Sequence, residues 1–174
     1  MNAPSLYLVD DPIGRSFAPL STTRPVGELL HGCSTFRERW QRTLGIRCSG
    51  HLSGDSMVGF DESGCAPALT ASDIPFAGTR WFVSSRFVLD SGKLAEEVPA
   101  SAVGELVLVS GGQVVGIRLP PSLPHTDAIP RIGMPHSGGT ATEVHGRWVK
   151  AVWELMSENA AQVETDVSRW FTAN

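Results

Sequence analysis

The tightest constraint in this sequence lies near its start, where the apolar run of residues 6–9, Leu-Tyr-Leu-Val, is cut off by Asp10, Asp11 and Pro12. A run without polar alternation has the profile of a strand buried on both faces, and Asp-Asp-Pro ends it in a loop. Over residues 25–44, Val26, Leu29, Leu30, Cys33, Phe36, Trp40 and Leu44 then recur at helical spacing, and Gly45 stands where a C-cap is expected. On that helix Arg37, Glu38, Arg39, Gln41 and Arg42 fall on the outer face and read as solvated surface. Strand, acidic loop and helix make the first half of a βαβ unit, so an α/β fold with a Rossmann-like sheet and flanking helices is expected.

Downstream, residues 49–78 are rich in Gly, Ser, Pro and Ala and read as a loop-rich middle with one short strand around 57–60. Residues 81–89 read as a strand closed by Asp90-Ser91-Gly92. The runs 106–110 and 114–119 flank Gly111-Gly112, a strong hairpin signal. Pro120, Pro121, Pro124, Pro130 and Pro135 mark residues 120–139 as an irregular excursion. From Val149 to Trp170 the apolar positions again follow a helical period, predicting one long closing helix.

A chain of 174 residues has room for one domain, spanning 1–174, with a sizeable core. Its net charge of -4 gives no general attraction for nucleic acid or anionic membrane, so an anionic ligand must meet a local site. Cys33, Cys48 and Cys65 are odd in number and lack a paired short spacing, which argues against a disulfide framework and a zinc knuckle. The opening Met-Asn-Ala-Pro-Ser lacks a signal-peptide pattern, no apolar run approaches membrane-spanning length, and a cytoplasmic location is expected.

The candidate site is the stretch 19–28. Proline suits the first helical position and disfavours helix in the residue before it, which puts Arg24 at the mouth of a helix opened by Pro25. Unpaired N–H groups there, with an arginine beside them, would cradle phosphate or carboxylate; the alternative is a plain helix start with a solvated arginine. Asp10 and Asp11 have two readings as well. At the carboxyl end of a parallel strand they are placed to hold a metal or a hydroxyl, and before proline they are also ordinary turn formers. Gly54-Asp55-Ser56-Met57 resembles the serine block of GDS-type esterases, but lies far from the first strand, and Thr142 stands where an aspartate should precede His145. The histidines at 31, 51, 125, 136 and 145 have no metal-ligand spacing, and Ser137-Gly138-Gly139-Thr140 lacks the lysine of a P-loop.

Read from Val9 to Leu29 without a gap, the chain resembles the opening of the sugar-1-phosphate nucleotidyltransferases, LAAGxGTRLxPLTxxRPKPL. Gly14, Pro19-Leu20-Ser21 and Arg24-Pro25 match; Asp10 and Asp11 replace the alanines, Ser16 the signature arginine and Val26 the lysine. It is more similar to a divergent branch related to the bifunctional uridyltransferase/acetyltransferase of UDP-N-acetylglucosamine synthesis, with openings like LFDDxxxRxxLxPLTxTRPVAELRxGxLTxxEKWE. Leu8 through Pro12, Arg15, Pro19-Leu20, Thr23 through Val26, Glu28-Leu29, Gly32, Thr35, Glu38 and Trp40 agree with it. Val152 through Leu155, Asn159 and Asp166 resemble its closing helix.

This resemblance implies a nucleotidyltransferase-type sheet and a reaction in which a sugar 1-phosphate attacks the α-phosphate of a nucleoside triphosphate. In that reading Arg24 and Arg15 are the catalytic cations. Asp10, Asp11, Gly14, Thr23 and Glu28 bind substrate, with Glu28 orienting an arginine, and Asp11 carries Mg²⁺. The resemblance further implies a left-handed β-helix domain after this one, through which the protein would form a homo-oligomer; no hexapeptide repeat occurs in these residues, and a stand-alone form is the alternative expectation. The lost cations, and Ser84-Ser85-Arg86 where active members carry a Gly-Asp pair, keep a second reading open: a non-catalytic domain that binds a nucleotide or sugar phosphate, or acts as a scaffold.

Overall fold

In the computed structural model, which describes residues 3–90 and 104–170, the apolar run forms β1, Ser5–Val9, at the heart of the molecule. A single turn of helix, α1, Pro12–Arg15, follows it. Residues 25–44 do not form the one helix that the periodicity predicts. Val26–Glu28 is a 3₁₀ turn, and the short strands β2, Leu30–His31, and β3, Ser34–Thr35, make a hairpin before α2, Phe36–Leu44. The interruption has local causes. Gly32 adopts φ 70 in the hairpin turn, and Thr35 with Glu38 forms a reciprocal capping box that starts α2 afresh. Gly45, at φ 65, ends α2 as expected.

The remaining elements are β4, Cys48–Leu52; β5, Arg80–Ser84; β6, Phe87–Leu89; β7, Leu106–Ser110; β8, Gln113–Leu119; β9, Thr142–Glu143; β10, Gly146–Trp148; α3, Glu154–Ser157; and α4, Asn159–Trp170. The central sheet has six strands in the order β4-β1-β5-β8-β7-β9. β1 runs parallel to β4 and β5, β8 is antiparallel to β5 and β7, and β9 is parallel to β7. This is a mixed α/β architecture with a Rossmann-like parallel half, and the Gly111-Gly112 hairpin joins β7 to β8 as expected. The middle-segment strand lies at 48–52 rather than 57–60, where Asp55–Met57 is a 3₁₀ turn. The 81–89 strand divides at Ser85 and Arg86, and the closing helix divides at Glu158.

Both faces of β1 are buried, which explains its unbroken apolar run. Leu6 and Leu8 pack with Phe36, Trp40 and Leu155 on the helical side, and the Trp40 indole N–H donates to Ser84 O at 3.0 Å. Tyr7 and Val9 pack on the other side with Phe82 of β5 and with Ile74, Ala128 and Ile132, which irregular segments supply. Buried Arg80 fixes the proline-rich segment by donating to Pro120 O at 3.0 Å and Leu123 O at 2.6 Å. The outer edge of β4 is covered too: His51 donates its backbone N–H to Pro67 O and accepts from Leu69 N, each at 2.8 Å. Among the described residues, no helix is long and apolar enough to cross a membrane.

The C-terminal helix is docked by polar contacts in the interior. Arg39, expected on the solvated face of α2, is buried and grips the Asp166 carboxylate, with Nη1–Oδ1 and Nη2–Oδ2 both at 2.6 Å. Asp166 Oδ2 also accepts from Cys33 N at 2.8 Å, and Asn159 accepts from Gly32 N at 2.7 Å. His31 is stacked on Phe36 and its Nε2 lies 2.7 Å from Arg147 Nη2. Burial, and then the positive charges of Arg147 and Arg39, lower the His31 pKa to about 4. The unfolded chain protonates this imidazole at its ordinary value near 6.5, so it binds more protons than the native state between those two limits. Stability should therefore fall as pH drops from 6.5 toward 4. Urea melts across that window should show a shallower slope in His31→Gln, which keeps an acceptor without the titration; an identical slope would remove His31 as its source.

Candidate functional site

β1 leads through α2 to β4 on one side, and the chain then crosses to β5 on the other, so the carboxyl end of β1 is a topological switch point, where open α/β sheets place ligands. Asp10 and Asp11 stand there, both buried. Their side chains are committed to the protein itself. Asp11 is the N-cap of α1 and accepts from Gly14 N at 2.8 Å. Arg86, from the turn between β5 and β6, places Nε 2.7 and 2.8 Å from the two Asp11 oxygens and Nη2 2.6 Å from Oδ2. Its Nη1 donates to Val149 O at 3.0 Å, and its guanidinium lies over the Trp148 ring. Gly133, at φ 80, covers Asp11 so closely that a Cβ there would collide with the carboxylate.

Asp10 Oδ2 accepts from Val26 N at 3.1 Å, while Oδ1 is buried without a hydrogen-bond partner. Burial raises its pKa, against contacts with Ser85, Ser53 and the Val26 N–H that favour the charged form. The Val26 N–H that an anion would have met at a helix start is thus already taken, and Val26–Glu28 is too short to carry a helix-terminal anion site. Magnesium does not fit at Asp11, since both oxygens face the Arg86 guanidinium and the ion would meet a buried positive charge. Among the described residues, no group of three or more His, Cys, Asp and Glu side chains is placed to hold a metal.

The other candidates separate into exposed and buried sets. Arg15 is exposed and donates from Nε to Asp10 O at 2.8 Å. Arg24 keeps 41% of its side chain exposed and pairs with Glu62 at 3.2 Å. Thr23 is exposed and closes a local turn onto Leu20 O. Glu28 is buried and orients neither Arg15 nor Arg24. Its Oε1 receives Arg37 Nε at 2.6 Å, His51 Nε2 at 2.7 Å and Ala66 N at 3.1 Å. Burial opposes ionisation of this carboxyl, but the His51, Arg37 and Ala66 hydrogen bonds outweigh it and hold the pKa down to about 2. Arg37 also donates to Gly64 O at 3.0 Å, so it straps the 62–66 loop rather than facing solvent. The spacing Thr35-x-x-Glu38 was the available signal for this rearrangement, because it starts a helix ten residues after Pro25.

Two cavities adjoin this region. One of about 660 Å³ is bounded by Leu20, Thr23, Arg24, Glu28, Thr35 and Asn159, with Leu29, Leu30, Leu155 and Met156 adding an apolar wall. The other, of about 170 Å³, lies by Arg15, Leu52, Gly54 and Thr70. Only the larger falls within the ordinary range for a small-molecule site, roughly 300–1,000 Å³.

The family model described as sugar nucleotidyl transferase matches residues 6–172. No curated protein matches the chain.

Removing one member of the buried Asp11–Arg86 pair leaves an uncompensated charge. Arg86→Met should lose about 3–5 kcal/mol of unfolding free energy in urea melts. Adding Asp11→Asn, which keeps the α1 cap acceptor, should recover part of that loss; equal losses in the single and double variants would show that the charge is not its source.

Proposed function

This chain belongs to the sugar nucleotidyl transferase family, and from that premise we propose that it binds a phosphorylated ligand, a nucleoside triphosphate or a sugar 1-phosphate, in the cavity beside Arg24 without carrying out the transfer. The observation that carries this reading is the internal commitment of the two carboxylates at the carboxyl end of β1. Asp11 is neutralised by Arg86, and Asp10 holds the Val26 turn. Nucleotidyl transfer requires charge to be offset at the triphosphate and at the attacking oxygen. A buried carboxylate already matched to a guanidinium contributes little to that.

Binding makes smaller demands. Arg24 supplies a planar, permanently charged fork for phosphate. The cavity beside it offers Thr23, Thr35 and Asn159 to hydroxyls and an apolar wall to a ring face. A second reading, in which the domain does transfer a nucleotidyl group, draws its support from Arg15 and Arg24, both solvent-accessible cations on the chain that follows β1.

The two readings separate on turnover. With Mg²⁺, a panel of nucleoside triphosphates and hexose 1-phosphates, at least one ligand is expected to raise the melting temperature while no pair releases pyrophosphate. Release above the no-enzyme background would favour the second reading. Arg24→Ala should lose the ligand-dependent stabilisation and keep the unliganded unfolding free energy within about 0.5 kcal/mol of wild type, as for an ordinary surface substitution; stabilisation that survives in this variant would place the ligand elsewhere.

A further inference from the structure

We propose that Glu62 occupies the anion position at Arg24 and acts as a built-in competitor, so that the 62–66 loop sets the affinity of the cavity for phosphate. This rests on the reading of Arg24 as the ligand cation. Arg24 Nη2 lies 3.2 Å from Glu62 Oε2 and 3.4 Å from Oε1, so both oxygens of one carboxylate face the nitrogen a phosphate would use. Glu62 does not reach Arg24 by chance of a long side chain on a loose segment. Cys65 N donates to Glu62 O at 3.0 Å, Arg37 holds Gly64 O at 3.0 Å, and Ala66 N donates to Glu28 Oε1 at 3.1 Å. The loop is therefore pinned through Glu28, a residue that bounds the same cavity as Arg24. Its far end is fixed, while the Glu62 carboxylate itself is engaged in an exposed pair, 41% and 46% accessible on the two sides.

The strength of that pair suits a competitor. An exposed carboxylate–guanidinium contact is weak, whereas a phosphate brings up to two charges and can engage the fork with two oxygens. A phosphorylated ligand would then displace Glu62 at a small cost, and the loop, still tied at Gly64 and Ala66, would swing only at its Glu62 end.

The test compares dissociation constants by isothermal titration calorimetry, with ATP, UTP and glucose 1-phosphate as probes, for wild type, Glu62→Gln, Arg24→Ala, and Asp61→Asn as a control that removes the same charge one residue away. Glu62→Gln should tighten binding about two- to fivefold at low salt, the range expected from an exposed ion pair. The gain should shrink at high salt, and Glu62→Gln should fail to restore binding in an Arg24→Ala background. Asp61→Asn should change affinity less than Glu62→Gln. Equal effects of the two charge removals, or a Glu62→Gln affinity equal to wild type, would overturn the competitor while leaving the binding site standing. Absence of binding in both wild type and Glu62→Gln would overturn the binding reading itself, and the competitor with it.

Discussion

The Asp11–Arg86 pair is the contact on which most of this architecture depends. An ionised carboxylate and a guanidinium withdrawn from water must satisfy each other and their remaining donors and acceptors within the protein. Here that requirement ties together three separate pieces of chain: the β1–α1 junction with its cap, the β5–β6 turn and the backbone at Val149. Once Arg86 is placed, β6 is directed away from the main sheet to pair with β10, and Trp148 covers the guanidinium. The Gly133 segment closes over the pair from the opposite layer. A geometry that in an open sheet would leave a crevice at the switch point is filled by the protein's own counter-ion.

A second polar anchor organises the periphery on the same principle. Arg39 joins α2 to α4 through Asp166, and Asp166 in turn caps the β2–β3 turn at Cys33. Burial disfavours the charged form of Asp166, but Arg39 and the Cys33 N–H override it and hold its pKa low. Because the hairpin inserted between Pro25 and α2 has only two residues per strand, it could not persist alone. Its stability comes from the helix whose N-terminal residues it holds. The wall of the larger cavity, with Leu30 from the hairpin and Leu155, Met156 and Asn159 from α3 and α4, exists only because these elements are clamped to one another.

What could be read from the sequence divides along the distance over which each interaction acts. β1, the Gly111-Gly112 hairpin, the Gly45 cap and the irregular 120–139 segment each follow from neighbours within a few residues, and they are where local patterns put them. β4 escaped because Cys-Ser-Gly-His-Leu carries no strand pattern of its own; it is a strand because β1 pairs with it and the 67–69 segment covers it. The long helix failed for the opposite reason. Its apolar period was genuine, but the αL glycine and the Thr35 cap outweighed it locally. The partners of Arg39 and Arg86 lie 127 and 75 residues away, so neither burial had a local signal. For the stretch 19–28, the resemblance supplied expected roles but no partners. It did not reveal that Glu28 serves Arg37 and His51, or that Arg24 faces Glu62.

The covering of β4 bears on how the molecule behaves in a crowded solution. Bare edges of sheets recruit strands from other chains, and proteins blunt them to avoid it. At β4 the exposed ladder positions of His51 are already taken by Pro67 O and Leu69 N, and Pro67 has no N–H of its own to offer a newcomer. At the far edge β9 presents only Thr142 and Glu143, a short strand with a charge on it. Among the described residues, neither end of the main sheet is a good template for strand addition, so concentrated preparations of the folded domain should resist fibrillar association, and aggregation, where it arises, should begin from chains that have lost the 67–69 cover.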